Sequence, residues 1–183
     1  MASYTDTAVE NPKGLALLVP GVAYPTPMPQ LYFAKQVALN AGWNVREMAW
    51  DADMEFTPQR VTEEVETALT GNELPVLIIG KSIGSLAAML AAERNYRAIW
   101  ITPVVERADV VEAIGANTAM QLAIGGTADE HWNHDASTKW PVNVQVLEFP
   151  GANHPLLVAS DPVRGAEIVG EYTRVMNDWV TKL

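Results

Sequence analysis

Short apolar runs alternate along the chain with stretches of helical periodicity. Residues 1–13 are polar and acidic, close on Asn11-Pro12-Lys13 and read as a tail. Gly14-Leu15-Ala16-Leu17-Leu18-Val19 is then a continuous apolar run stopped by Pro20-Gly21. A short run without polar alternation suits a strand covered on both faces, as in a parallel sheet flanked by helices. Pro25, Pro27 and Pro29 make the next segment a loop. From about residue 28, Leu31, Ala34, Val37, Ala38 and Ala41 recur at helical spacing, and Gly42 stops the helix.

The alternation repeats. Residues 43–48 read as a strand, with Asn44, Arg46 and Glu47 marking it as less buried than the first. Thr57 caps and Pro58 opens a helix with Val61, Val65, Ala68 and Leu69 on one face, ending at Gly71. Residues 74–79 form the most apolar strand, 83–94 an Ala-rich helix, and 98–101 a strand followed by Thr102-Pro103. The pattern then gives a helix over 104–116, strands over 119–124 and 142–149, and a final helix over 162–182. Strands interleaved with helices are joined by right-handed crossovers. The pattern therefore predicts an α/β three-layer sandwich with a mostly parallel, about six-stranded sheet. With no repeat, low-complexity segment or Gly/Ser linker, residues 1–183 read as a single domain.

Composition narrows the chemistry. The chain has 183 residues, 49% of them apolar and 19% charged, enough apolar material for a sizeable core without disulfide or structural metal. The absence of cysteine removes thiol catalysis, Cys-zinc sites and iron–sulfur clusters. Twelve Lys and Arg against 22 Asp and Glu give a net charge of −10, a sign that disfavours nucleic-acid and anionic membrane partners. The N-terminal residues lack the basic and apolar regions of a signal peptide, and no apolar stretch reaches the roughly 18–20 residues of a membrane span. These features point to a cytoplasmic protein, and they leave a homo-oligomer open.

In parallel α/β sheets, function collects at the carboxyl ends of the strands. After the most apolar strand comes Gly80-Lys81-Ser82-Ile83-Gly84, a G-x-S-x-G sequence between strand and helix. A sharp strand-to-helix turn strains the residue at its apex and needs small residues two before and two after it. The serine hydroxyl then stands at the sheet edge over a helix N-terminus, whose N–H groups can receive developing negative charge. After strand 119–124 comes Gly125-Gly126-Thr127-Ala128-Asp129, and after strand 142–149 comes Gly151-Ala152-Asn153-His154. A serine hydroxyl is a poor nucleophile unless an imidazole takes its proton and a carboxylate fixes and stabilises that imidazole. Ser82, Asp129 and His154 supply those three types, each just beyond a strand end.

On these residues the sequence resembles the α/β-hydrolase superfamily, from the first strand to the last helix. The resemblance implies a small, uncapped serine hydrolase, truncated at the N-terminal strands of the full fold. It implies Ser82 as nucleophile, His154 as base and then acid, and Asp129 as the carboxylate behind it, with Glu130 the alternative third member. The oxyanion donors it implies are the backbone N–H groups of Ile83 and of Val22, in a loop with Pro20-Gly21 where the family often has His-Gly. The expected substrate is a small molecule with an ester, thioester or related acyl bond, and neither metal nor organic cofactor is required. An acyltransferase using the same triad, or a non-catalytic binding module of the same fold, are the other readings. Lys81, beside the nucleophile, either snorkels to solvent or pairs with an acid.

Simpler readings compete at each position. Ser82 on its own is a common helix N-terminal residue. Gly80-Lys81-Ser82 echoes a phosphate-binding loop, but Pro75 stands where that motif needs its first glycine. Asp129, His131, His134 and Asp135 lie close enough to suggest a metal, yet the His spacing does not suit a helix-borne pair, and a polar loop explains them.

Overall fold

The computed structural model describes residues 2–183. Its strands are β1 (Ser3–Thr7), β2 (Leu15–Val19), β3 (Asn44–Ala49), β4 (Val76–Lys81), β5 (Arg97–Ile101), β6 (Gln121–Gly126) and β7 (Val144–Phe149). The helices are α1 (Pro29–Asn40), α2 (Pro58–Leu69), α3 (Ala88–Arg94), α4 (Ala108–Ala116), α5 (His134–Ser137) and α6 (Pro162–Val180). A 3₁₀ segment, Ser82–Ala87, joins β4 to α3. The strands form one seven-stranded sheet in the order β1-β3-β2-β4-β5-β6-β7. Every pairing is parallel except that of β1 with β3.

The core is built in two layers because successive strand residues face opposite ways. Leu17, Val19, Ile78 and Trp100 pack with Val61 and Val65 of α2, Leu90 of α3 and Val110 and Ile114 of α4. Leu18, Leu77, Ile79, Ile99 and Ile124 pack on the other face with Leu31 and Val37 of α1 and Ile168, Tyr172 and Met176 of α6. All of β2, β4 and β6 is buried, as continuous apolar runs require.

The N-terminal segment corrects the expectation of a tail over 1–13. Residues 3–7 add a seventh, antiparallel strand on the edge of β3, with Ser3 opposite Ala49 and Thr7 opposite Val45. The strand lacks an apolar pattern because it is an exposed edge, held by backbone pairing rather than by burial. Arg46 of β3 fastens it, donating from Nε and Nη2 to the two carboxylate oxygens of Asp6, each at 2.7 Å. The helix expected over 104–116 begins at Ala108, with 103–107 forming turns instead. Among the described residues, no helix is long and apolar enough to cross a membrane.

Candidate active site

The chain direction in β2 and β4–β7 brings five segments to the carboxyl edge of the sheet: the loop after β2, the turn after β4, and the segments after β5, β6 and β7. Ser82 is the apex of the β4 turn. Its φ of +53° lies in the left-handed region that a non-glycine residue occupies only under constraint. The constraint is steric. A Cβ on Gly80 would sit 2.8 Å from the Gly84 carbonyl oxygen, and one on Gly84 would sit 2.3 Å from that of Val19. Turn and strand β2 approach closely only because both positions lack side chains.

The side chains expected to act together do meet. Ser82 Oγ lies 2.8 Å from Nε2 of His154, and Nδ1 of His154 lies 2.8 Å from Oδ2 of Asp129. With Nδ1–H donating to the carboxylate, Nε2 is left to accept from the serine hydroxyl. The loops carrying the last two residues are tied to each other. The backbone N–H groups of Thr127 and Ala128 donate to the Phe149 and Ala152 carbonyls, and Gly151 N–H donates to Thr127 Oγ1 at 2.7 Å. Gln30 of α1 holds the far side, its Nε2 donating to the Pro155 carbonyl at 2.9 Å.

Asp129, not Glu130, faces the imidazole. The Asp129 side chain is fully shielded, whereas that of Glu130 is 87% exposed. Burial by itself would raise the Asp129 carboxyl. The hydrogen bonds from His154 and from the His131 backbone N–H, with the two nearby imidazoles, outweigh it and hold the carboxyl below its ordinary value.

Val22 and Ile83 also lie beside the serine. A Cβ on Gly21 would touch the Ser82 Cβ at 3.4 Å, so the loop after β2 packs directly on the elbow. Trp50 pins that loop, its Nε1–H donating to the Pro20 carbonyl at 2.9 Å. Gly21, Val22, Ala23 and Tyr24 line a cavity of about 260 Å³ together with Lys81, Ser82, His131, His154 and Pro155. A larger hollow of about 530 Å³ lies at the opposite, amino-terminal edge of the sheet, lined by residues such as Leu74, Tyr96 and Met120 and far from Ser82.

Lys81 departs from both expectations. It is 1% exposed, so it does not snorkel, and its Nζ reaches the Thr102 hydroxyl at 2.5 Å rather than a carboxylate. Thr102, buried and at φ +43°, stands one residue beyond β5. His131, which the sequence offers as a metal candidate or as part of a polar loop, also reaches the site. Its ring meets His154 edge to face, with centroids 4.9 Å apart, and its Nδ1 is 2.8 Å from Glu106 Oε1. Thr102 stood in a position that the strand-end rule singles out. His131 and Glu106, far apart in sequence, carried no such signal. His134 turns away to Glu148, at 2.9 Å, so the residues considered for a metal do not converge. Among the described residues no group of three or more His, Asp and Glu is arranged to hold a metal ion.

No protein-family model and no curated protein sequence matches the chain. Solved structures match it over nearly its full length. The ferulic-acid complex of Est1E from Butyrivibrio proteoclasticus superposes with a TM-score of 0.76 at 12% identity, covering 99% of this chain and 94% of that one. A monoacylglycerol lipase from Paleococcus ferrophilus gives 0.76 at 14% identity, covering 100% and 99%. A dienelactone hydrolase from Anabaena variabilis gives 0.71 at 18% identity, covering 94% and 89%. The chain has the α/β-hydrolase fold.

Proposed function

We propose that the protein is a serine hydrolase that cleaves a small ester, thioester or related acyl bond through an acyl-enzyme. The observation that carries this reading is the unbroken chain Ser82–His154–Asp129, with both contacts at 2.8 Å and the serine on a strained elbow. Ser82 Oγ attacks the acyl carbonyl while His154 Nε2 takes its proton. The ring then hands that proton to the leaving group, and a water activated in the same way releases the acid. Asp129, ionised because its hydrogen bonds outweigh its burial, fixes the ring's tautomer and balances the charge the ring acquires.

The backbone N–H groups of Ile83 and Val22 are the donors for the tetrahedral oxyanion. Loss of one such donor costs roughly 10²–10³ in rate. The chemistry needs only protein groups and water. A cavity of about 260 Å³ is below the usual range for drug-sized ligands and suits a short acyl group. That the structural neighbours include a monoacylglycerol lipase and a dienelactone hydrolase favours an ester.

The test is covalent capture. A fluorophosphonate should label wild-type protein at Ser82 and leave Ser82→Ala unlabelled, and a panel of short p-nitrophenyl esters and thioesters should find a hydrolysed member. A folded protein whose serine stays inert to every such probe would be a binding module instead.

A further inference from the structure

The proposed mechanism leaves Lys81 without a task, although its Nζ lies 3.2 Å from Nε2 of the base. Its Nζ has three acceptors in reach: Thr102 Oγ1 at 2.5 Å, His154 Nε2 at 3.2 Å and the His154 carbonyl oxygen at 3.4 Å. The remaining surroundings are the Tyr24 ring from the loop after β2, 5.1 Å from Nζ to its centroid, and Asp129 from the loop after β6, which acts through space. His131, from that same loop, lies against the His154 ring.

The two protonation states of the lysine treat these acceptors differently. An ammonium has three N–H donors and no lone pair. It can serve all three acceptors, and in doing so it donates into the Nε2 lone pair that the Ser82 hydroxyl needs. It also places a positive charge beside a ring that must itself become positive in the transition state. A neutral amine has two donors, enough for Thr102 and the carbonyl, and turns a lone pair toward Nε2. Nε2 is then free to accept from Ser82, and the imidazolium N–H that follows meets an acceptor instead of a cation.

We propose that Lys81 is a positioning residue that decides whether His154 can act: charged, it occupies the base, and neutral, it releases the base to Ser82. The proposal rests on the reading of Ser82 and His154 as nucleophile and base. The switch involves one proton, exchanged with bulk water, and no covalent bond. Burial pushes the ammonium down from 10.5 to about 7, with Asp129 only partly opposing it, so the two states exchange near neutrality.

Two measurements test it. The first is the ¹³Cε titration of lysine-labelled wild-type protein, with the Lys81 signal assigned by its loss in Lys81→Met. The Lys81 resonance should half-titrate near 7, and a lysine still charged near pH 8.5 in a protein whose Ser82 reacts fully there would overturn the proposal. The second is the rate of fluorophosphonate labelling at Ser82 in wild type and Lys81→Met. The ratio of variant to wild-type rate should grow by roughly tenfold per pH unit below 7 and level off above it, as one additional inhibitory proton requires. A ratio that stays constant with pH overturns the role of Lys81 while leaving the hydrolase reading intact. A Ser82 that never labels in either protein removes the hydrolase reading and this proposal with it.

Discussion

The backbone of Gly84 rests against the carbonyl of Val19 so closely that a methyl group on Gly84 would lie 2.3 Å from the Val19 oxygen. This contact joins the elbow that carries Ser82 to the end of β2, from which the loop with Val22 departs. Gly84→Ala should therefore move both together. The backbone must shift or the turn must open, and a loss of roughly 1–3 kcal/mol is expected. Chemical denaturation should show the stability loss, and labelling of Ser82 should fall further than stability alone explains. A Gly84→Ala protein as stable and as reactive as wild type would contradict the assigned geometry.

Asp129 is fully shielded and hydrogen-bonded to His154 Nδ1, so its replacement by Asn changes the ring's tautomer more than the packing. Asp129→Asn should fold normally and lose about 10⁴ in kcat on any substrate the wild type hydrolyses. Glu130→Gln, on an exposed side chain, should leave the rate nearly unchanged. Parallel steady-state kinetics of the two variants decides between the neighbouring acids.

The buried lysine gives a stability prediction that needs no substrate. Its folded value, lowered from 10.5 to about 7, lies below its unfolded one. Below pH 7 the lysine is charged in both states, and the full cost of burying that charge is present. As pH rises from 7 toward 10.5 the unfolded chain keeps a proton the native state has lost, so native stability rises with pH. Lys81→Met, similar in size and never charged, should be more stable than wild type by roughly 5 kcal/mol below pH 7, with little more than about 1 kcal/mol of the difference left near pH 9.5. Urea unfolding at both ends of the window reads the gap directly, and a gap of constant size would rule out a buried titrating ammonium.

His131 supports His154 from the side, its ring edge-on at 4.9 Å and its Nδ1 on Glu106. His131→Ala removes that support without touching the contacts between Ser82, His154 and Asp129. Activity should fall by roughly 2- to 10-fold, the worth of one aromatic pair, mostly in kcat. A fall confined to KM would place His131 on the substrate instead of on the base.

Much of this molecule was legible in the order of its residues. Continuous apolar runs such as Leu15–Val19 and 76–79, alternating with helical stretches, suit strands covered on both faces of a parallel sheet, and that sheet puts Ser82, Asp129 and His154 at one edge. The strand Ser3–Thr7 was not legible, because an exposed edge held by backbone hydrogen bonds needs no hydrophobic signature. Nor was the choice between Asp129 and Glu130. The two carboxyls are chemically near-identical neighbours, and only the turn after β6 decides which one is shielded against the imidazole.

Lys81 marks the same boundary. The sequence places a cation next to the serine. The fold alone turns that side chain inward, to a hydroxyl at the next strand end along the chain and to the same ring nitrogen that faces the Ser82 hydroxyl. Periodicity reports which face of an element is covered, because burial repeats with the backbone. Contacts between side chains from different strand ends depend on the register and loop paths of the whole sheet, and no local pattern records them.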